Sequence, residues 1–587
     1  MLELFVNCFR NSKGVFPFLI SIKTINPNPK NHRSMKSKLL FILICACNAV
    51  VSQTPTFQWA KSAGRYTSHD YCESISTDMH GNSYITGQFQ DTIDFGPTQL
   101  VNSGTYGNVI YLAKYDASGN IVWAKIPGGN HGSEGYGIAA DRSGNIYVTG
   151  TFRGTINFGP NTLSANGISN FFIAKYDSSG TPLWAQKAIC GAAQLGRSIC
   201  VDKDGGVYAT GTFEDSTITF GNFSINAVSP ILGTDVFLVK YDDAGNVQWA
   251  TGGGGATTDI SNGVNADNRG NVYITGVYRN SITFGTTTIS ASNSGGASVF
   301  TVKYNSAGTL MWAKSSGNFP CSGYGMDISN DALGNSYVAG YFNSPIIYFD
   351  GDTLVNAGVN DIFLLKYDSL GNVVWAQSAG GSNFDEALAV HTDDLGNSYL
   401  TGFIKQSAHF GPITMNAINQ DVFVVKYDAS GTPLWGVQST GNTNESCSGI
   451  STDDAQNVYI GGRFSSPTAF FGTISLVNSD AFLGSYDLFI AKLNYVATGI
   501  PVNAVLPASY FIYPNPVSEK ALLSFYNEKN ETFELQIFDM TGKCIRQISG
   551  ITSNEVEIDR NRLSGGLYFF RLSSQKGTSI NGKFIID

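Results

Sequence analysis

Residues 137–186 read GIAADRSGNIYVTGTF, RGTINFGPNTLSANGISN and FFIAKYDSSGTPLWAQ in unbroken succession. Nearly the same sentence is written seven times along the 587-residue chain. A fixed period of this kind decides the fold, because each unit can bury its apolar faces only against a neighbouring unit. The turn Asp-x-x-Gly-Asn recurs at Asp78, Asp141, Asp202, Asp267, Asp331, Asp393 and Asp453, spaced 60 to 65 residues apart. Gly206 and Gln456 are its two departures. A Lys-Tyr-Asp-like strand recurs at Lys114, Lys175, Lys240, Lys303, Lys366, Lys426 and Lys492. All seven tryptophans, Trp59, Trp123, Trp184, Trp249, Trp312, Trp375 and Trp435, keep the same register.

The array does not match at its ends. Trp59 precedes the first turn and belongs to no earlier unit, whereas the last unit stops at Asp487–Asn494 with no tryptophan after it. One orphan strand and one vacancy point to a closed ring, since an open stack needs polar capping repeats. NIYVTGTF and FFIAKYD are rich in β-branched and aromatic residues and are bounded by Gly, Asn, Asp and Ser. In FFIAKYD, Phe172, Ala174 and Tyr176 point one way and Phe171 and Ile173 the other, so both faces call for cover. The expected fold is all-β: a seven-bladed β-propeller over residues 53–494, closed by the strand around Trp59. The unit exceeds the roughly 40–45 residues of a WD-type blade. The surplus TINFG…L segment reads as an extra hairpin between the second and third strands.

The segments DRSGNIYVTG and DNRGNVYITG resemble the bacterial SBBP repeat of seven-bladed propellers. The resemblance spans roughly residues 57–494 and implies fold, not activity.

Composition agrees with a turn-rich globular protein: 42% apolar, 14% charged and 66 glycines. The net charge is −9, and no Lys/Arg cluster exists beyond the run Met35–Lys38. Nucleic-acid binding is excluded on that ground, because it needs a basic surface. Residues 35–52 combine a basic start with an apolar run ending near Val51, the pattern of a secretory signal peptide and too short to span a membrane. Residues 1–34 then have no role, and translation is expected to begin at Met35. No transmembrane segment is expected in the mature chain. Six cysteines follow that cut, too few for a disulfide framework. Cys72 and Cys447 share one repeat position in the first and last units. They are read either as a bridge across the seam or as two free core thiols.

After a linker at 495–509, residues 510–587 carry six or seven short alternating strands, the pattern of a small Ig-like β-sandwich. Tyr513-Pro514-Asn515-Pro516, Asp539-x-x-Gly542-Lys543, Gly566-Leu567-Tyr568-Phe569 and Gly582-Lys583-Phe584-Ile585 stand in order. Together they resemble the type A sorting domain of the type IX secretion system of Bacteroidota. The resemblance implies Sec export, passage across the outer membrane by the type IX machinery, and release or surface attachment of the passenger. An accessory adhesive domain is the alternative.

No catalytic motif stands out. The six histidines lack metal-ligand spacing, and no nucleophile elbow or phosphate loop is present. One constellation lies eight residues before each turn Asp: Asp70, Gln194, Asp259, Gly323, Asp385 and Glu445, with Glu134 displaced by one. In a ring these residues would converge at one mouth of the central channel. Five carboxylates there could hold Ca²⁺ or a cationic or hydroxyl-rich ligand; the simpler reading is that each caps a local turn. The expected function is an exported binding, adhesion or scaffold propeller for glycan or protein ligands. A glycan hydrolase or lyase at the acidic mouth is the alternative, as is a structural envelope component. Convergence of Asp70, Asp259, Asp385 and Glu445 in one pocket with aromatics would favour glycan; scattering would favour a flat protein-binding face.

Overall fold

The computed structural model describes residues 54–65, 69–102, 107–129, 131–228, 233–291, 296–317, 322–480, 484–494, 510–513, 516–525, 531–540, 542–561, 563–574 and 579–586. The expected extension 1–34, signal segment 35–52 and linker 495–509 lie outside these residues, as do Cys321, Pro514 and Asn515.

The chain is all-β and built from the propeller-like repeat. Among the described residues one unit is Ser133–Ala140, Ile146–Phe152, Asn170–Tyr176 and Pro182–Lys187, an antiparallel four-stranded path. The path recurs with first strands Tyr71–Thr77, Gln194–Val201, Ile260–Ala266, Gly323–Asn330, Glu386–Thr392 and Glu445–Thr452. In the last case the fourth strand comes from the other end of the sequence. Thr56–Ala63 pairs antiparallel with Asp487–Asn494, with Trp59 opposite Lys492 and Ala63 opposite Leu488. Each first strand packs beside that of the next sheet, and Glu445–Thr452 packs beside Tyr71–Thr77. The surplus segment forms the expected hairpin, as in Thr155–Phe158 with Asn161–Ser164. In the sixth unit that hairpin merges with its neighbours into Ser398–Phe410 and Ile413–Tyr427.

The doubly apolar strands are covered on both sides. Phe171 and Ile173 pack with Ala209, Phe213 and Phe237 of the following sheet. Phe172 and Ala174 pack with Ile110 and Leu112 of the preceding one. Each of the Phe, Ile and Leu side chains among them contributes roughly 1.5–3 kcal/mol when fully buried.

The repeated Asp, Lys and Trp are explained by turns and by the joints between sheets. Asp141 Oδ1 accepts from the Ser143 and Asn145 main-chain N–H groups at 2.8 and 2.9 Å, and Oδ2 from Asn145 Nδ2 at 2.8 Å. The indole N–H of Trp249 donates to the Ser306 carbonyl of the next sheet's outer turn at 3.1 Å. Trp59 and Lys492 both donate to the Ala117 carbonyl at 3.2 Å, so the last sheet engages the first in the same way. The turn residue there, Gly119, has φ +80°, and a Cβ would lie 2.7 Å from the Trp59 ring. Lys303 shows the place of the repeated lysine: its ammonium lies 4.8 Å over the Tyr273 ring and donates to the Ser369 carbonyl at 2.9 Å. Cys72 and Cys447 are both buried and free.

Residues 510–586 form a three-stranded sheet (Tyr510–Tyr513, Lys520–Phe525, Glu555–Asp559) and a four-stranded sheet (Cys544–Ile551, Phe533–Phe538, Gly566–Ser574, Ser579–Ile586). One core joins them, with Leu523 and Ile558 from the first and Leu535, Phe570 and Phe584 from the second. No helix among the described residues is long and apolar enough to cross a membrane.

Candidate functional site

The first strands carry the site, through a fault repeated in each. The pairing of first and second strands slips between Cys72 and Ser74, leaving Glu73 without a partner. The same slip leaves out Tyr136, Arg197, Asn262, Met326, Leu388 and Ser448. These are β-bulges, which bend a strand and re-aim one side chain. All seven extra residues line one cavity of about 530 Å³ bounded by the seven first strands.

The second strand makes the bulge obligatory. Its repeated glycine faces the bulge: at Gly150 a Cβ would sit 1.9 Å from the Glu134 carbonyl oxygen. Glycine inside a strand marks such close backbone approach. On the first strands the bulge residue is flanked by Gly, Ala, Ser, Cys or, at one position, Asp, and an Ile or Val follows, as in Gly135-Tyr136-Gly137-Ile138. Crowding accounts for the small flanks, since a Cβ on Gly137 would meet Ile199 at 3.1 Å.

The wall is asymmetric. Three consecutive first strands present Glu73, Tyr136 and Arg197, and Arg463 joins them from Val458–Phe464. The remaining four present Asn262, Met326, Leu388 and Ser448. The Arg463 guanidinium lies 4.8 Å from the Tyr71 ring centre and 5.3 Å from that of Tyr486. Tyr136 donates its hydroxyl to Glu134 Oε2. Tyr324 and Tyr341 stack with centres 4.9 Å apart. Burial pushes Asp327 up to about 7, against the main-chain N–H groups of Val390 and Ile328 that hydrogen-bond its carboxyl at 2.9 and 2.8 Å. Burial lowers His391 to about 4, so its ring is neutral at pH 7.

The residues expected at the mouth lie elsewhere. Asp70, Gln194, Asp259, Asp385 and Glu445 are fully buried, and none lines this cavity. The expected convergence is corrected accordingly: each reaches back to the preceding unit. The Asp259 N–H donates to the Thr234 carbonyl at 2.8 Å and the Asp385 N–H to that of Asn360 at 3.0 Å. The Asp70 N–H likewise donates to the Tyr486 carbonyl at 2.7 Å, and the Gln194 N–H to that of Ser169 at 3.1 Å. Asp385 accepts from the Lys405 and Gly381 N–H groups at 2.9 and 2.7 Å. Burial raises Asp259 to about 8 and Asp385 to about 6. It also raises Glu445, which lies beside Asp421. Glu134 accepts from Asn108 Nδ2 at 3.2 Å and lines a second cavity with His131 and Arg153. Gly323 opens its first strand and contributes no side chain. Among the described residues no group of three or more His, Cys, Asp or Glu side chains is arranged to hold a metal ion.

The sorting motif gathers on two paired strands. Gly566, Leu567 and Tyr568 lie opposite Ile586, Ile585 and Phe584, and Gly582 and Lys583 opposite Phe570 and Phe569. The Tyr568 hydroxyl donates to the Ser564 carbonyl at 2.7 Å. Tyr513 ends its strand, and Pro516 is exposed.

An uncharacterized WD repeat-containing protein, L264, of Acanthamoeba polyphaga mimivirus is 27% identical over 442 residues, 60% of this chain and 32% of its own. The regulatory protein FlaEY of Caulobacter vibrioides is 30% identical over 147 residues, 23% of this chain and 15% of its own. The chain thus spans a third or less of the length of these curated relatives. A crystal structure of a protein of unknown function from Dyadobacter fermentans overlays at 9% identity with a TM-score of 0.35, covering 76% of this chain and all of that one. Family models match residues 122–151 as the SBBP beta-propeller repeat and residues 511–587 as the secretion system C-terminal sorting domain. The chain carries SBBP β-propeller repeats and ends in a type IX C-terminal sorting domain.

Proposed function

We propose that this chain is an exported seven-bladed β-propeller, closed by its N-terminal strand, that binds an extracellular glycan in the cavity between its first strands. In this reading residues 53–494 are the propeller, 495–509 a linker, and 510–587 an Ig-like sandwich that directs type IX secretion to the cell surface or medium. The reading rests above all on the bulges: seven strands of one repeat each bring an extra residue to a shared cavity, and no two of those seven residues are alike. A scaffold needs no such variation, whereas a binding site does. Asn262, Ser448 and Tyr136 suit hydroxyls, and Met326 and Leu388 suit a sugar's C–H face. Catalysis is not assigned, because glycoside hydrolysis asks for a facing carboxyl pair. Glu73 and Asp327 are the carboxyls among the cavity's lining residues, and that of Asp327 is taken up by the main-chain N–H groups of Val390 and Ile328.

The test is glycan-array binding by the full exported chain and by Asn262→Ala and Leu388→Ala. Binding that weakens about tenfold in either variant fits a contact worth about 1.4 kcal/mol. Binding to no glycan, or binding indifferent to both changes, sinks the reading. A flat protein-binding face is the second reading. Burial of Asp70, Asp259, Asp385 and Glu445 in separate joints favours it, as do the exposed turn leucines Leu333, Leu370 and Leu395.

A further inference from the structure

We infer that the Arg463–Glu73–Tyr136–Arg197 side of the cavity receives an anionic group, a carboxylate or sulfate ester, carried by the bound saccharide. This rests on the glycan reading above and names the ligand's class. The two arginines line one cavity, and neither is among the salt bridges of the described residues. Arg197 Nε is buried and without a partner. Arg463 is held by the faces of Tyr71 and Tyr486, which leaves its N–H edges for another acceptor. A desolvated guanidinium without a partner is costly, and the planar fork matches carboxylate and sulfate oxygens two at a time.

Glu73 stands beside them in the cavity wall and Glu134 lies behind it, accepting from the Tyr136 hydroxyl, and neither carboxyl forms a salt bridge with either arginine among the described residues. Burial raises the pKa of Glu73 against the pull of Arg463 and Arg197, and lowers that of Arg197 against the pull of Tyr136 and Glu73. Of the cavity's other ionisable groups, Asp327 is hydrogen-bonded to main-chain N–H groups and His391 is neutral. The site thus offers two guanidiniums unpaired among the described residues, one with a buried, unpartnered Nε, in a chain of net charge −9. Met326 and Leu388, on the remaining wall, offer an apolar surface to the sugar's C–H face.

The experiment is calorimetric titration of the full exported chain, Arg197→Gln and Arg463→Gln, each first checked for an unchanged circular dichroism spectrum. The probes are inorganic sulfate, free galacturonate, and three oligosaccharides of matched length: oligogalacturonate, κ-carrageenan oligosaccharide and a neutral maltooligosaccharide. We expect one charged oligosaccharide to bind at least about tenfold more tightly than the neutral one, with salt-dependent affinity, and each variant to lose about tenfold or more. Preference for oligogalacturonate or for carrageenan assigns the carboxylate or the sulfate. Equal binding of the neutral oligosaccharide, unaffected by the variants, overturns the anion site while leaving the glycan reading intact. Binding of sulfate or galacturonate lost in the variants, with no oligosaccharide bound, supports the anion site and overturns the glycan reading. No binding by any probe overturns both.

Discussion

At the scale of single residues, the joints between units are set by carboxyls with no access to water. Asp259 is the sharpest case. Its Oδ1 accepts one long hydrogen bond from the Arg279 N–H at 3.4 Å, its Oδ2 has no partner, and burial raises its pKa to about 8. A raised carboxyl pKa means that the folded state holds a proton which the unfolded chain has released above pH 4. Stability contributed by the neutral acid is therefore complete below about pH 4 and is lost as the pH climbs toward about 8. Asparagine keeps the shape and cannot ionise. In thermal melts between pH 5 and 8.5, Asp259→Asn should flatten the decline of Tm with pH relative to the parent chain. The group's limiting slope is about 1.4 kcal/mol per pH unit. Parallel curves for parent and variant would show that the carboxyl is charged and satisfied in the fold. The repeat made this position legible as acidic and the burial not, because sequence spacing places a residue in a loop without saying which loop covers it.

At the scale of the strand, the seven bulges decide what the molecule can recognise. Their sign is in the sequence: Tyr147-Val148-Thr149-Gly150-Thr151-Phe152 is an apolar strand with a glycine at a fixed place, and its equivalents keep that glycine. Counting turn aspartates finds the loop residues; only asking why a glycine interrupts a buried strand finds Tyr136 and Arg197. The bulge residues themselves differ in every unit, so repetition, which identified the fold, hid them. Gly150→Ala tests the device. The added Cβ would lie 1.9 Å from the Glu134 carbonyl oxygen, and backbone must move. We expect a loss of about 2–4 kcal/mol in denaturant melts, in the range of strained and overpacked sites. Gly285→Ala is the control: its φ is +59° but nothing lies within 4 Å of the new Cβ, so it should cost only about 1 kcal/mol. Equal losses would mean that the glycine serves backbone freedom and not the bulge.

At the scale of the whole chain, what matters is that residues more than 420 positions apart share one sheet. Strand count, period and the orphan tryptophan were readable because a β-unit lacking its fourth strand leaves an unpaired edge that must be filled. Export was readable through the terminal motif, whereas the ligand was not, because its contacts are the non-repeating residues. If Thr56–Ala63 closes a ring, its tryptophan is a structural clasp and not a fraying end. Trp59 is 8% exposed, donates to the Ala117 carbonyl, and lies against Gly119 of the first complete unit. Trp59→Ala should then cost about 3–5 kcal/mol, as for a buried aromatic anywhere in a core. More tellingly, it should lower the single transition of the entire repeat region, because opening one seam exposes the edges of both neighbouring sheets. Hydrogen exchange separates this from local fraying. In a clasped ring, amides of Leu488–Leu493 and of the distant strand Asp361–Tyr367 lose protection together under mildly destabilising conditions. Faster exchange confined to Leu488–Leu493 would mean an open array whose terminal strand is merely docked, for nearest-neighbour coupling in a linear stack lets the end melt alone.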